Sequence, residues 1–514
     1  MKPIPSQTLQ QRILILSVFI VASCGLAYEL IAGALASYLL GDSILQFSSI
    51  IGCYLFAMGV GSHLSKYVKE EDTLACFIDI ELLVGLLGGL SATLLFLVFA
   101  WMGTPFRTVL YVLVFLIGVL VGMEIPLVMR ILNRQGEDKP DFAEIVSRVL
   151  TFDYLGALVV SLLFPLVLAP KLGMARTALL FGLLNAAVAL WATHTFKHEI
   201  KAHRAKQTRA AIVLVLLIGG FCYADRLTQW SERGLFGDEI IHAQTTPYQR
   251  LVVTKWKDDL RLHINGNLQF SSRDEHRYHE ALVHPTLEKL PWAKRVLILG
   301  GGDGLAAREV LKHKNIQQIT LVDLDPAMTD LFSHSEPLVK LNQGAFINPK
   351  VHIINADAGQ WLEQKTEQFD AIIVDFPDPS NFGLGKLYSV PIYRLMARHL
   401  SENGLLVVQS TSPYFAPRSF WCIDATLKEA GFHTYPYHAY VPSFGEWGFI
   451  LADKKGHYTP PTQYTEPMRF LDGEVTRLMF TFPADMKPWP VEANRLNNQK
   501  LVHYFEQDWQ QVMR

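Results

Sequence analysis

The distribution of apolar residues changes character near residue 225. Before that point they run almost unbroken through seven stretches, near 13–39, 44–65, 74–100, 107–129, 149–169, 173–194 and 210–224. Most reach the roughly 20 residues a helix needs to cross a hydrocarbon core. They predict an α-helical polytopic membrane domain over residues 1–225. The first stretch is too long, and too poor in cleavage-site character, for a removable signal peptide. After Tyr223 the apolar runs are short. "EIIHAQ", "QRLVVTKW", "LRLHING" and "NLQFS" alternate with period two, and Asn265-Gly266 is a hairpin signal. They predict a linker and a small antiparallel β unit within 226–290. From residue 295 strand patterns at 295–300, 319–324, 351–355, 371–375 and 404–410 alternate with helical ones. That alternation predicts a Rossmann-like α/β domain over 291–455, with a mainly parallel sheet covered on both faces. Residues 456–514 read as a C-terminal extension of no assigned role.

Charge adds an orientation problem. Lys and Arg gather at Lys2 and Arg12, at Lys66 and Lys69, from Arg130 to Arg148 and from Lys197 to Arg209, and the alternate connections carry fewer. The positive-inside rule puts the N-terminus in the cytoplasm, and seven crossings would then put the C-terminal half outside. The net charge is −2, which gives no bulk field for nucleic acid. The five cysteines, at 24, 53, 76, 222 and 422, form no C-x-x-C pair and read as small buried hydrophobes. Glu29, Asp79, Glu81, Glu124 and Asp153 lie in or beside apolar stretches. Each needs a partner or a wet cavity, so the choice is between interhelical pairing and a cation path. Gly85, Gly89, Gly118 and Gly122 suit close helix packing, and Pro126 and Pro165 are positions for kinks.

The stretch "VLILGGGDGLAAREVLKH", residues 296–313, reads as a buried strand, a glycine turn and a helix. Such a turn normally cradles a nucleotide-bearing ligand, yet Asp303 places a carboxylate among the glycines. Asp323 follows 20 residues later, a spacing that suits a ribose hydroxyl pair. Asp303, Asp323, Asp357 and Asp375 fall at or just after four predicted strand ends, where ligands of such sheets bind. Together they point to an adenosine-type ligand.

With "YQRLVV", "INGNLQFSSRDEHRYHEALVHP", "LVDLDP" and "DAIIVDFPDP" added to the glycine turn, residues 240–452 resemble the polyamine aminopropyltransferases, the spermidine synthases. The helical N-terminal half resembles their membrane-anchored bacterial branch. The resemblance implies transfer of the aminopropyl group of decarboxylated S-adenosylmethionine to an amine, with putrescine the expected acceptor, giving spermidine and methylthioadenosine. It implies that Gln249 contacts the adenosyl group, that Gly300, Gly302 and Asp303 form the donor turn, that Asp323 holds the ribose, and that Asp357 and Ala358 border the adenine. It places Gln269, Tyr278 and His279 along the acceptor channel, with Asp375 as proton acceptor and Asp378 as a second acid for the polyamine. Asp303 would repel the carboxylate of ordinary S-adenosylmethionine and attract the ammonium of the decarboxylated form. The sulfonium is already a good leaving group, so no metal is expected. A homo-oligomer, an inner-membrane location and a catalytic domain facing the cytoplasm are also implied, the last in conflict with the charge rule. The sequence departs from the family pattern at Phe376 and Pro377, at Ala358 for a common glycine, at Asp323 for a glutamate and at Phe444 for a tyrosine. Two other readings stay open at this stage: a methyltransferase using S-adenosylmethionine, and a polyamine transporter or sensor.

Overall fold

The computed structural model describes residues 7–40, 43–102, 106–134 and 142–512. Lys2 and residues 135–141 of the basic segment lie outside them. The chain divides into two compact units, Met1–Glu239 and Ile240–Arg514.

The first unit is helical: α1 (Gln7–Leu40), α2 (Ser43–Leu64), α3 (Thr73–Met102), α4 (Phe106–Arg134), α5 (Phe142–Leu163), α6 (Ala169–Thr195) and α7 (His203–Phe236). Among the described residues six stretches are long and apolar enough to cross a membrane. They are six and not seven because the fifth and sixth expected segments join in one apolar run, Phe142–Thr195. That run still folds back on itself. Ser23 on α1 donates to the Gly156 carbonyl of α5 at 3.2 Å, and its neighbour Cys24 donates to the Phe181 carbonyl of α6 at 3.5 Å. A straight helix would hold residues 156 and 181 about 37 Å apart. The reversal lies between them, where a wide π-helical turn at Phe164–Leu168 contains Pro165 and Gly173 takes a φ of 73°. The polar residues after Ala224 continue α7 to Phe236, which carries the first unit past the expected boundary at 225.

Glycine sets the helix spacing. A Cβ at Gly122 of α4 would stand 2.1 Å from the Met58 carbonyl oxygen of α2, and one at Gly182 of α6 would stand 2.6 Å from that of Gly85 on α3. Backbones meet there with no room for a side chain, as expected where helices associate through small residues. Pro126 does not interrupt α4. Asp79 is paired with Lys206 at 2.6 Å.

The second unit begins with a four-stranded sheet, β1 (Glu239–Thr245), β2 (Arg250–Trp256), β3 (Asp259–Ile264) and β4 (Asn267–Ser271), in that order. Asn265 and Gly266 turn β3 into β4 with φ of 52° and 83°, the conformation that an Asn-Gly hairpin requires. Helix α8 (Glu275–Leu287) then leads to a seven-stranded sheet. Its members in chain order are β5 (Arg295–Gly300), α9 (Leu305–Leu311), β6 (Gln318–Asp323), α10 (Pro326–His334), α11 (Glu336–Leu341), β7 (Val351–Asn355), α12 (Ala358–Gln364), β8 (Phe369–Asp375), α13 (Phe382–Gly385), α14 (Val390–His399), β9 (Leu400–Gln409), α15 (Pro417–Glu429), β10 (His433–Val441) and β11 (Gly445–Asp453). The strand order is β10-β11-β9-β8-β5-β6-β7. β5 to β9 run parallel, and β10 and β11 form an antiparallel edge. The chain moves from β5 through β6 to β7 and then returns to lay β8 on the other side of β5. The carboxyl ends of β5 and β8 therefore flank the switch point where such sheets bind ligands.

The extension after residue 456 carries α16 (Gly473–Met479) and α17 (Lys500–Val512) and is tied down by buried polar bonds. The Glu280 carboxylate on α8 accepts from the backbone N–H groups of Arg469, Phe470 and Leu471 at 2.8–3.1 Å. Asp508 on α17 accepts from Arg418 and Ser419 of α15. Replacing Gly122 by alanine would force α2 and α4 apart, and overpacking of this kind costs roughly 1–3 kcal/mol. We expect Gly122→Ala to lower the thermal midpoint of the full-length protein in detergent; an unchanged midpoint would contradict the close approach of α2 and α4.

Candidate active site

The site is organised by the pairing of β5 with β8. In their register Gly300 lies beside Asp375, and the Gly301 N–H donates to the Asp375 carbonyl at 3.2 Å. Gly300, Gly301 and Gly304 have φ of 83°, 67° and 76°, a region that costs an L side chain energy. A Cβ on Gly300 would lie 2.2 Å from the Asp375 carbonyl oxygen. Gly302 is excluded from bearing a side chain on its other flank, where the Asp323 carboxylate would stand 2.6 Å from its Cβ. The turn thus fits between two acids.

Asp303 is nearly buried, and its Oδ1 accepts from the Leu305 N–H at 2.9 Å, holding the start of α9. Burial pushes its carboxyl up to about 6, against the pull of the charge on His279. On β8, Asp375 is half-buried, and the Tyr278 hydroxyl donates to its Oδ1 at 2.6 Å. Burial raises Asp375, while His279 and the Tyr278 hydrogen bond draw it down. Asp378, in the loop beyond, is pushed up to about 7 by burial, with Gln409 and Thr411 opposing. Asp323 accepts from the Asp325 N–H at 2.9 Å and is raised to about 6, again by burial.

The other expected residues fall into four groups. Tyr278 and His279 join the cluster from α8. Gln249 reaches the end of β6 indirectly: its amide donates to Asp325 Oδ2 at 3.0 Å. Asp357 caps α12 through the Gln360 N–H and binds Lys386 at 3.1 Å; burial would raise it, but those partners hold it below the usual range. Ala358 is the buried first residue of α12. The Gln269 amide donates to the Asn267 carbonyl of its own strand at 3.3 Å.

Sequence reading did not single out the residues that tune this cluster. Burial alone would depress the His279 imidazole, yet the Glu275 carboxylate at 2.8 Å from Nδ1 lifts it to about 9, so it is a cation at neutral pH. Burial would raise Glu275, but His279 and a bidentate Arg308 at 2.8–2.9 Å hold it at about 2. Arg308 also bonds Glu309, which bonds His284, which bonds His313. His284 is thus a structural link. Behind the 375–378 turn, Gln409 donates to the Phe376 carbonyl at 2.5 Å and to the Tyr388 hydroxyl at 2.7 Å. Trp447 donates to Gln409 at 3.3 Å. Phe444 and Trp447 face Tyr278 with ring centroids 6.4 and 6.5 Å away, giving the acid cluster one aromatic wall. Asp274 fixes the loop that carries Phe444 by accepting from the Ser443 N–H and hydroxyl.

Residues 275–463 match the spermine/spermidine synthase domain. A polyamine aminopropyltransferase of Ralstonia nicotianae is 66% identical over 507 residues, covering 98% of this chain and 99% of that protein. The chain belongs to the polyamine aminopropyltransferase family. A polyamine aminopropyltransferase of Leptospira interrogans is 51% identical over 98% of this chain and all of its own length. Both matches extend through the helical unit. Among solved structures the chain is similar to the spermidine synthase of Thermotoga maritima, 24% identical, with a TM-score of 0.44, over 48% of this chain and 85% of that one.

In this aminopropyltransferase, removing the Tyr278 hydroxyl deletes a hydrogen bond that favours ionised Asp375. Such a bond to a charged group contributes about 1.5–3 kcal/mol, or about 1–2 pH units. We expect Tyr278→Phe to move the acid limb of the kcat/KM profile to higher pH. A limb that stays in place, or moves lower, would remove Asp375 from the titration that controls activity.

Proposed function

We propose that the enzyme transfers the aminopropyl group of decarboxylated S-adenosylmethionine to putrescine, forming spermidine and methylthioadenosine. The observation that carries this reading is the Asp303 carboxylate, nearly buried inside a glycine turn and adjacent to Asp375. Arg308 and His279 neutralise Glu275, and Lys386 pairs with Asp357. Asp303, Asp323, Asp375 and Asp378 carry no Lys or Arg ion pair among the described residues, so the cavity between the strand ends favours cationic ligands. A donor bearing an ammonium and a sulfonium, and a diamine acceptor, supply that charge. A donor that kept its carboxylate would meet Asp303 as a like charge. At about 4 Å such a contact is worth roughly 1–4 kcal/mol between water-like and near-surface screening, and each 1.4 kcal/mol is about tenfold in affinity.

The chemistry follows from the acids. An amine is protonated at neutral pH and cannot attack. Asp375 accepts that proton as the nitrogen lone pair forms the new bond to the methylene carbon next to sulfur. The carbon–sulfur bond breaks towards sulfur, which leaves as the neutral thioether of methylthioadenosine. Tyr278 holds Oδ1 of Asp375, which leaves its other oxygen, 3.3 Å from where a Gly301 Cβ would stand, turned to the glycine turn. Asp378 takes the distal ammonium, and Asp323 the ribose hydroxyls. Holding nucleophile and carbon in line supplies much of the remaining acceleration.

We also propose that the helical unit is a multi-pass anchor in the inner membrane, with the catalytic unit facing the cytoplasm, where the donor is made. With seven rods crossing, the N-terminus then lies outside, against the positive-inside rule. A C-terminal reporter active only in the cytoplasm tests this; an inactive reporter on an expressed, stable fusion would reverse the orientation.

Detergent-purified protein, decarboxylated S-adenosylmethionine and a panel of amines test the reaction through methylthioadenosine release. Release should depend on putrescine and fall at least about a thousandfold in Asp375→Asn, near the middle of the range for a lost general base. Release with every amine except putrescine would overturn the acceptor. Because Asp303, Asp323 and Asp378 sit at about 6, 6 and 7, putrescine binding should tighten as pH rises through 6–7, where these groups ionise. In Asp303→Asn, discrimination against ordinary S-adenosylmethionine should fall about tenfold or more. Unchanged discrimination would show that Asp303 does not select the donor.

A further inference from the structure

The helical unit holds a second polar centre that aminopropyl transfer does not use. Glu81 on α3 and Glu124 on α4 are 0% and 3% exposed. Helical spacing brings them to one place. Gly85 and Gly88 follow Glu81 on its own face. A Cβ at Gly85 would lie 3.2 Å from Cβ of Asn185 on α6, and one at Gly88 would lie 2.5 Å from the ring of Tyr28 on α1. On α4, Val121 stands one turn before Glu124 and packs on Gly25 of α1, 2.9 Å from where its Cβ would be. Both acids therefore face α1 near Cys24 and Tyr28. Glu124 is within electrostatic reach of Glu81 and of Asp153 on α5, and Tyr28 within reach of both glutamates, Cys24 and Tyr54.

Several polar groups of the surrounding bundle are satisfied internally. Tyr54 donates to the Gly25 carbonyl at 2.9 Å, Ser91 to Gly88 at 2.6 Å and Thr193 to Ala189 at 2.7 Å. Those of this centre are not. Both Glu81 oxygens, Glu124 Oε1, both amide atoms of Asn185 and the Tyr28 hydroxyl are buried without a hydrogen-bond partner among the described residues. Asn185 and Tyr28 are 0% and 2% exposed, and Tyr28 also lines a cavity with Tyr54, Ser91 and Ile117. Nearby cations are engaged elsewhere: Arg130 donates to the Ser65 and Val68 carbonyls, and Lys206 pairs with Asp79.

Buried carboxylates without partners must hold protons or meet a cation. Among the described residues no three His, Cys, Asp or Glu side chains converge to hold a metal ion, and calcium or magnesium would demand about six oxygens or more. The orphan atoms are mainly acceptor oxygens, whereas an ammonium group offers three donors and no acceptor. We propose that Glu81 and Glu124 form a second amine-binding site, which takes a primary ammonium group of a linear polyamine, with Asn185 and Tyr28 completing its hydrogen bonds. The choice of a polyamine rests on the aminopropyltransferase reading; the cation requirement does not. Binding displaces protons from the carboxyls, so amine and proton compete for the site.

The test is calorimetric titration of full-length protein in detergent with putrescine, in buffers of different ionisation enthalpy, beside methylthioadenosine release. At pH 8, above the range in which Asp303, Asp323 and Asp378 ionise, wild type should bind two putrescines per chain, one with proton release. Glu81→Gln and Glu124→Gln should weaken that one at least tenfold and leave turnover unchanged, whereas Asp375→Asn should abolish turnover and retain it. If the glutamine variants do not fold, Asn185→Leu, which keeps both acids, should weaken the same site. One putrescine per chain with normal turnover would overturn the proposal, as would a site sensitive to these variants that takes up sodium or protons and no amine. Binding that depends on Glu81 without any turnover would leave this site standing and refute the catalytic reading instead.

Discussion

The catalytic unit depends on how closely β5 approaches β8. Because the Asp375 carbonyl lies where a Cβ of residue 300 would be, only glycine allows the two strand ends to pair up to Gly300 and Asp375. That pairing sets Asp375, the proposed proton acceptor, beside the glycine turn, and the same turn carries Asp303 to the first residues of α9. A side chain at Gly300 would push these two acids apart.

Around that junction the unit keeps a surplus of buried negative charge, and it does so by closing off its cations. Arg308 is committed to Glu275, Glu309 and the Leu341 carbonyl. His279 is charged yet held by Glu275, so its influence on Asp303 and Asp375 is a field effect without an ion pair. Burial raises Asp303 and Asp323 to about 6 and Asp378 to about 7, and raises Asp375 as well against the opposing His279 charge. In the helical unit both Glu81 oxygens and Glu124 Oε1 are likewise buried, without a hydrogen-bond partner among the described residues.

Much of the fold was legible in the chain. The parallel strands read at 295–300 and 351–355 coincide with the observed ones, and those read at 319–324 and 371–375 differ by a residue or two, because short apolar runs bounded by polar residues or glycine leave little freedom. The Asn265-Gly266 hairpin followed from its φ requirement alone. The fifth and sixth apolar stretches were harder: their division rests on a π-helical turn and Gly173 inside an unbroken apolar run, where hydropathy has no boundary to show. The acids at the strand ends were visible from position. Glu275, Arg308 and Gln409 were not, since a buried polar residue within a helix or strand looks like any surface polar residue until its neighbours are known.

The sequence by itself determined the division into an apolar helical half and a mixed α/β half, the glycine turn with its carboxylate, and the order of strands and helices. These are local properties, written in periodicity, φ demands and spacing. Only the tertiary structure decided which acids lie close together, that Tyr278 fixes one oxygen of Asp375, and that Glu81 and Glu124 meet in the helical core. Those facts depend on contacts between residues tens to hundreds of positions apart, and on the burial that such contacts create. Burial is what turns an ordinary aspartate into one that titrates near neutrality.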